Sequence, residues 1–341
     1  MFKPFVRNAT TGQELIWISI KVKRSLDEIC HSLELGIPSS ERLKVRKHHR
    51  LEVWCRNNLA NVSWRVTTVL VDEITAGADT EKHSIMIVGR SPARDIIDST
   101  WSDLDDDFDY CDRTLRQITQ DIGKKFNIVC DSFPTDQPDP TDTVAYFAFE
   151  NESPWTKLMN EADQQGFILT SNEAGNLYLW RVPTGIRSEP FHITEGKNVK
   201  NIKWTENGSE QFHEYIVKGG GWDPVRLIDN TCPSGRTLTI DIDKPVVSET
   251  ELEGRANTEM RRRRETKTIV TLPGWGLTDE QIRNMGDIRE KELYWFPNAL
   301  IPVKIPSLGL NDNLLISEVE YTATVENMSC DVTLVNKEMY L

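Results

Sequence analysis

Leu51-Glu52-Val53-Trp54-Cys55-Arg56 and Val62-Ser63-Trp64-Arg65-Val66 place an apolar residue at every second position. A period of two marks a strand with one dry face and one wet face, the pattern of antiparallel sheet in a sandwich or barrel. Upstream, Leu15-Ile16-Trp17-Ile18-Ser19-Ile20-Lys21-Val22 is rich in β-formers and ends in the same alternation. Downstream, His83–Gly89 completes a β set within the first hundred residues. Ser91–Asp98 then predicts a short helix, with Ser91 as the cap and Pro92 at the first helical position.

Beyond residue 100 the composition changes. Asp103–Asp109 is an acidic loop, and Arg113–Lys125 carries Leu115, Ile118 and Ile122, with Phe126 beyond, at helical spacing. Asp131–Thr143, with three prolines, reads as a linker. Ser153-Pro154 opens a second helix with Trp155, Leu158, Met159 and Ala162 on one side, and Gly166 ends it. Phe167–Leu169, the turn Asn172–Gly175 and Asn176–Trp180 read as a hairpin. Strands resume at Glu214–Lys218, Arg236–Ile242, Lys267–Leu272, Leu300–Ile305, Leu314–Val325 and Ser329–Val335. One helix, Glu249–Arg264, interrupts them, with Glu251–Arg255 and Glu259–Arg263 as i,i+4 ion pairs. The expected fold is therefore mainly β with an α+β insert: residues 1–100, 101–188 and 189–341. Two β regions of similar size suggest a duplicated unit.

The charge narrows the function. Fifty-three acids against forty Lys and Arg leave −13, which repels phosphate backbones and disfavours tight nucleic-acid binding. A wall past which DNA must slide is compatible with that charge. No apolar run reaches the roughly 18 residues of a membrane helix, and Met1–Phe5 does not open a secretory signal. The expected product starts in the cytoplasm, and Cys30, Cys55, Cys111, Cys130, Cys232 and Cys330 read as reduced buried thiols, none in a CxxC pair.

Candidate chemistry is sparse. Gly219-Gly220-Gly221 lacks the Lys-Ser/Thr of a phosphate loop and reads as a strand exit. His213-Glu214 has Val217 where a zinc-binding helix needs a second His, and it sits in a strand. Read as a calcium loop from Asp103, the chain puts Phe108 at the sharp-turn position and Thr114 at the last, so the loop is expected to be solvated. Arg261-Arg262-Arg263-Arg264 lacks interleaved aromatics and reads as a solvated or subunit-facing helix end. His48-His49 is expected in a loop, and Trp17, Trp54, Trp64 and Trp180 in strands. No catalytic, cofactor-binding or metal-ligating residue is assigned, and no enzyme activity or cofactor is expected.

Several stretches, in order along the chain, resemble the baseplate hub proteins of Mu-like phages, within the phage late-control family related to type VI spike proteins. They are Arg24-Ser25-Leu26 with Leu33–Gly36, Gly89-Arg90 with Asp95–Asp98, and Arg113–Leu115 with Gln117-Ile118. Leu169–Leu177, the most specific, is followed by Tyr215–Gly219, Trp295–Asn298 and Leu314–Val319; Trp222–Arg236 lines up poorly. The resemblance implies two tail-tube-like β-barrel domains, at 1–100 and 189–341, around a small α+β domain at 101–188. It also implies a homotrimeric ring around a channel in the virion tail baseplate, assembled in the bacterial host cytoplasm. Its partners would be the central spike protein, the tail tube and other baseplate proteins, with DNA passing through and no membrane insertion. The alternative is a hub or spike component of a type VI or other contractile injection system.

Overall fold

The computed structural model describes residues 2–78, 83–101, 110, 112–131, 143–144, 153–187, 191–233, 235–242, 249–264, 266–283 and 293–340. The acidic loop at 103–109 and Cys111 lie outside them.

Seven strands open the chain: β1 (Phe2–Asn8), β2 (Gln13–Leu15), β3 (Ser19–Ser25), β4 (Ser32–Pro38), β5 (Arg50–Asn57), β6 (Val62–Ala78) and β7 (His83–Arg90). The stretch read as one strand over residues 15–22 is two, because the chain leaves β1 at Leu15 and re-enters the sheet beside β4 at Ser19. Ile16 and Ile18 between them are exposed, and Trp17 is in no strand.

The middle holds α1 (Arg94–Asp98), β8 (Arg113–Thr114), α2 (Leu115–Lys125), β9 (Cys130–Asp131), β10 (Thr143–Val144), α3 (Pro154–Gln164), β11 (Ile168–Ser171) and β12 (Leu177–Trp180). Leu115, Ile118 and Ile122 are buried, and Thr114 and Gln117 close a reciprocal capping box on α2. Ser153 caps α3, accepting from the Trp155 N–H at 3.3 Å. α1 is shorter than expected and has no side-chain cap. The Ser91 hydroxyl is instead used by the tertiary structure, 3.3 Å from the His31 N–H and 3.3 Å from the Ser171 hydroxyl.

The last third runs β13 (Ile193–Thr194), β14 (Asn201–Glu206), β15 (Glu214–Gly219), β16 (Val225–Ile228), β17 (Thr237–Ile242), α4 (Glu249–Arg263), β18 (Thr266–Pro273), α5 (Asp279–Arg283), β19 (Leu300–Ile305), β20 (Leu310–Thr324) and β21 (Met328–Val335).

Both β regions join one 13-stranded sheet, in the order β14-β18-β21-β20-β3-β4-β7-β6-β5-β1-β2, with β19 on β20 and β13 on β19. The strand order holds the same path twice. β3-β4-β7-β6-β5-β1 in the first region matches β14-β18-β21-β20-β19-β13 in the second, strand for strand in chain order. The one difference in sense is that β1 runs antiparallel to β5 whereas β13 runs parallel to β19. Both copies also centre on a long strand that changes partner: β6 passes from β5 to β7 at Leu70, and β20 from β19 to β21 at Leu315. Two residues later each carries one extra residue, Asp72 or Ser317, that pushes its register along.

The copies do not have separate cores, and no sheet of the described residues closes into a barrel. One buried cluster runs from Val6, Trp64 and Ile87 to Trp275, Val303 and Leu334. Trp64 stacks on Tyr294 with ring centres 5.4 Å apart, and Phe2 packs edge-on against the same indole. Three-residue contacts of this kind weld the regions by apolar burial, whose strength grows with the area removed from water.

Candidate functional site

The site that organises this molecule is the joint between its two β copies. β3 pairs antiparallel with β20 from Ser25–Glu318 to Ser19–Thr324, fusing the two copies edge to edge. On the core side, Ile20 and Val22 meet Ala323 and Tyr321, all buried. On the other side Lys21 reaches Glu320 at 3.1 Å and Lys23 reaches Glu318 at 3.1 Å. The backbone ladder supplies adhesion, and the apolar face and crossed charges set the register.

The insert is fastened beside this joint by the hairpin β11–β12. Its turn lies against β6: the Thr68 hydroxyl donates to the Glu173 carbonyl at 3.0 Å, and Arg50 donates to Ala174 at 3.1 Å. Gly175 has φ +82°, and a Cβ there would stand 2.4 Å from Pro92, so the turn requires glycine twice over. Arg24, buried on β3, donates to the Val66 carbonyl at 3.2 Å and lies 3.7 Å from Glu173. His31, also buried, bridges Thr67 at 3.1 Å and the Ser171 carbonyl at 2.9 Å. Burial, with the nearby Arg24 charge, holds its imidazole well below the usual histidine range despite the Ser171 carbonyl. Neither Arg24 nor His31 carries a local sequence signal for this role, because every partner is distant in the chain.

A second knot closes the first β region. Asp72, the extra residue of β6, receives Arg90 at 2.9 Å and also Arg94, while Arg90 reaches Asp98 at 2.7 Å. Hydrogen bonds donated to Asp98 and Asp72 raise the Arg90 guanidinium further, so its charge is permanent.

The His213 ring sits 3.2 and 3.0 Å from the Asp229 and Cys232 carbonyls, and Glu214 pairs with Arg226 at 2.9 Å. Gly219 ends β15, and Gly220 and Gly221 turn with positive φ, as the strand-exit reading expects. His48 lies 3.2 Å from Arg94 and His49 2.9 Å from Asn8, both outside strands. Cys30, Cys55, Cys130, Cys232 and Cys330 are buried.

The arginine run departs from a simple solvated helix end. Arg262 forks onto Asp163 of α3 at 3.0 and 2.8 Å, and Arg264 forks onto buried Asp229 at 2.8 and 2.7 Å. Burial would raise the Asp229 carboxyl, but Arg264, Gln211 and Thr231 outweigh it and hold the group well below the usual carboxylate range. Glu259 accepts both Arg255 at 2.6 Å and Arg263 at 2.9 Å; the Glu251 side chain of the expected Glu251–Arg255 pair lies outside the described residues. The run clasps α4 to the insert and to the sheet β15–β16–β17. Among the described residues no group of three His, Cys, Asp or Glu could hold a metal ion, and no helix is long and apolar enough to cross a membrane.

The chain superposes on the 43 kDa tail protein of prophage MuSo2 from Shewanella oneidensis with a TM-score of 0.78, at 20% identity and 99% coverage of each chain. The chain has the fold of a prophage tail protein. A tail protein from Neisseria meningitidis MC58 shares it with a TM-score of 0.79, at 13% identity, over 99% of this chain and 98% of that one. The same tail-protein fold extends to the E. coli c3393 protein, with a TM-score of 0.59 and 9% identity, covering 98% of this chain and 76% of that one. That protein is described as a component of the type VI secretion system, structurally similar to the T4 tail proteins gp27 and gp5. No protein-family model matches the chain, and a search of curated proteins finds no match.

Proposed function

We propose that this chain is a structural, non-enzymatic subunit of a contractile-tail baseplate hub, a homotrimeric ring in the virion around a channel that passes DNA. The observation that carries the reading is the strand order found twice in one chain, β3-β4-β7-β6-β5-β1 and β14-β18-β21-β20-β19-β13. Three copies of a two-unit chain present six related units, which can join a sixfold tube above to a threefold spike below. In this reading residues 1–100 and 189–341 are tube-like barrel domains, and 101–188 is the α+β domain packed against the first of them. The likeness to prophage tail proteins over almost the whole chain supports it. A net charge of −13 favours an acidic or neutral lumen that does not hold passing DNA.

Light scattering on the purified chain, followed by electron microscopy, tests this. A trimeric mass and a ring with an open centre are expected; a stable monomer at high concentration overturns it. The likeness to the c3393 protein favours a second reading, a hub in a type VI or related injection system. Co-purification with a phage spike and tube rather than with secretion-system proteins separates the two.

A further inference from the structure

The internal joint has a counterpart that is left open. In the first copy β3 offers its outer edge to β20, beyond the extra residue Ser317. In the second copy the strand matching β3 is β14, which ends the sheet and pairs only with β18 among the described residues. The strand matching β20 is β6, whose stretch after Asp72 pairs with β7 on one side and with no strand on the other among the described residues. One chain therefore carries one used joint and both halves of an unused one.

The ladders give the alignment residue by residue. Through β4 and β18, Ile202 falls where Ile20 stands, Lys203 where Lys21 stands and Trp204 where Val22 stands. Through β7 and β21, Glu73, Ile74, Thr75 and Ala76 fall at Glu318, Val319, Glu320 and Tyr321. The apolar alternation is thus retained on both open edges, and a lysine and a glutamate are retained on their outer faces. Burial differs as an unused joint requires. β3 and the matching part of β20 alternate with buried residues, whereas β14 is exposed apart from Ile202, with Trp204 50% exposed, and Thr75, Ala76 and Gly77 are exposed.

We infer that β14 of one copy of this chain adds antiparallel to the open edge of β6 in the next copy, repeating the β3–β20 joint between subunits, with Trp204 over Ala76 and Thr205 opposite Thr75. This rests on the ring reading and names its contact. An open edge with an apolar face is a template for strand addition, and here the donor and acceptor edges differ, so assembly is head-to-tail and can close. The other outer strands, β2 and β13, have three and two residues, too short to compete.

The test is a Thr75→Cys/Thr205→Cys chain, oxidised and run without reductant. Opposed antiparallel positions lie about 4.5–5.5 Å apart at Cα, within disulfide reach. Covalent oligomers ending at the ring size are expected, with none from either single variant or from a Thr75→Cys/Glu326→Cys control. A Trp204→Lys chain is expected to lose the oligomer while keeping the melting temperature of the monomeric fold. A ring of unchanged mass whose introduced thiols stay free overturns this contact and leaves the hub reading standing. A monomer with free thiols overturns both.

Discussion

β6 and β20 are the same strand built twice with different chemistry. Each changes partner at a leucine, Leu70 or Leu315, and each inserts one extra residue two positions on. In β6 that residue is Asp72, which gathers Arg90 and nearly buried Arg94. In β20 it is Ser317, whose hydroxyl donates to the Thr333 carbonyl at 3.4 Å and whose own carbonyl accepts from the Leu26 N–H at 2.9 Å. Backbone geometry is common to the pair because ladder register and partner exchange are main-chain properties. The side chain answers to whatever packs beside it: helix α1 in one case, the β3–β4 turn in the other.

The difference can be broken by substitution. Asp72→Ala strands Arg94 without its carboxylate and should cost about 3 kcal/mol in urea unfolding, the lower end for a broken buried pair because the site is partly open. Ser317→Ala removes a long neutral hydrogen bond and should cost at most about 1 kcal/mol. Equal losses would mean that the two extra residues do the same work.

A smaller contrast lies within the insert. Gly175→Ala meets Pro92 as well as an unfavourable φ and should cost about 2 kcal/mol. Gly166→Ala, at φ +69° with open space around it, should cost about 1 kcal/mol. Loss of the same size at both positions would show that the hairpin turn does not press on Pro92.

Acid separates the fastening of the insert at His31 from the clasp of α4 at Asp229. His31 has a folded pKa depressed below its unfolded value near 6.5, so the unfolded chain binds the extra proton first. Stability should therefore fall as pH drops below about 6.5, by up to about 1.4 kcal/mol per pH unit, and His31→Gln should flatten that slope. Asp229, depressed below the usual carboxylate range, adds a loss only as pH falls below about 4. An unchanged slope in the His31→Gln chain would assign the acid sensitivity elsewhere.

Much of the local structure was legible. The alternation in β5, β7, β18 and β21, the Thr114–Gln117 box and the Ser153-Pro154 start are short-range signals, each decided within a few residues. β14 has no strand signal in the sequence because its pattern is that of an edge: Lys203, Thr205 and Glu206 are polar and Trp204 stays half exposed. The alternation over Val62–Val66 covers only the start of β6, since Thr67, Thr68 and Asp72 interrupt it and their partners come from the β3–β4 turn, the insert and α1. Ser91 has the sequence setting of a cap, yet its hydroxyl faces His31 and Ser171.

The amino-acid order alone determined that this chain is strand-rich, acidic and interrupted by a helical insert, because periodicity, charge and capping act over a few residues. Only the tertiary structure decided that both β regions share one sheet and one core. The β3–β20 joint pairs residues 19–25 with residues 318–324, and nothing local to either segment selects the other. That choice is made by apolar faces and ladder bonds that exist only once the chain has folded back on itself.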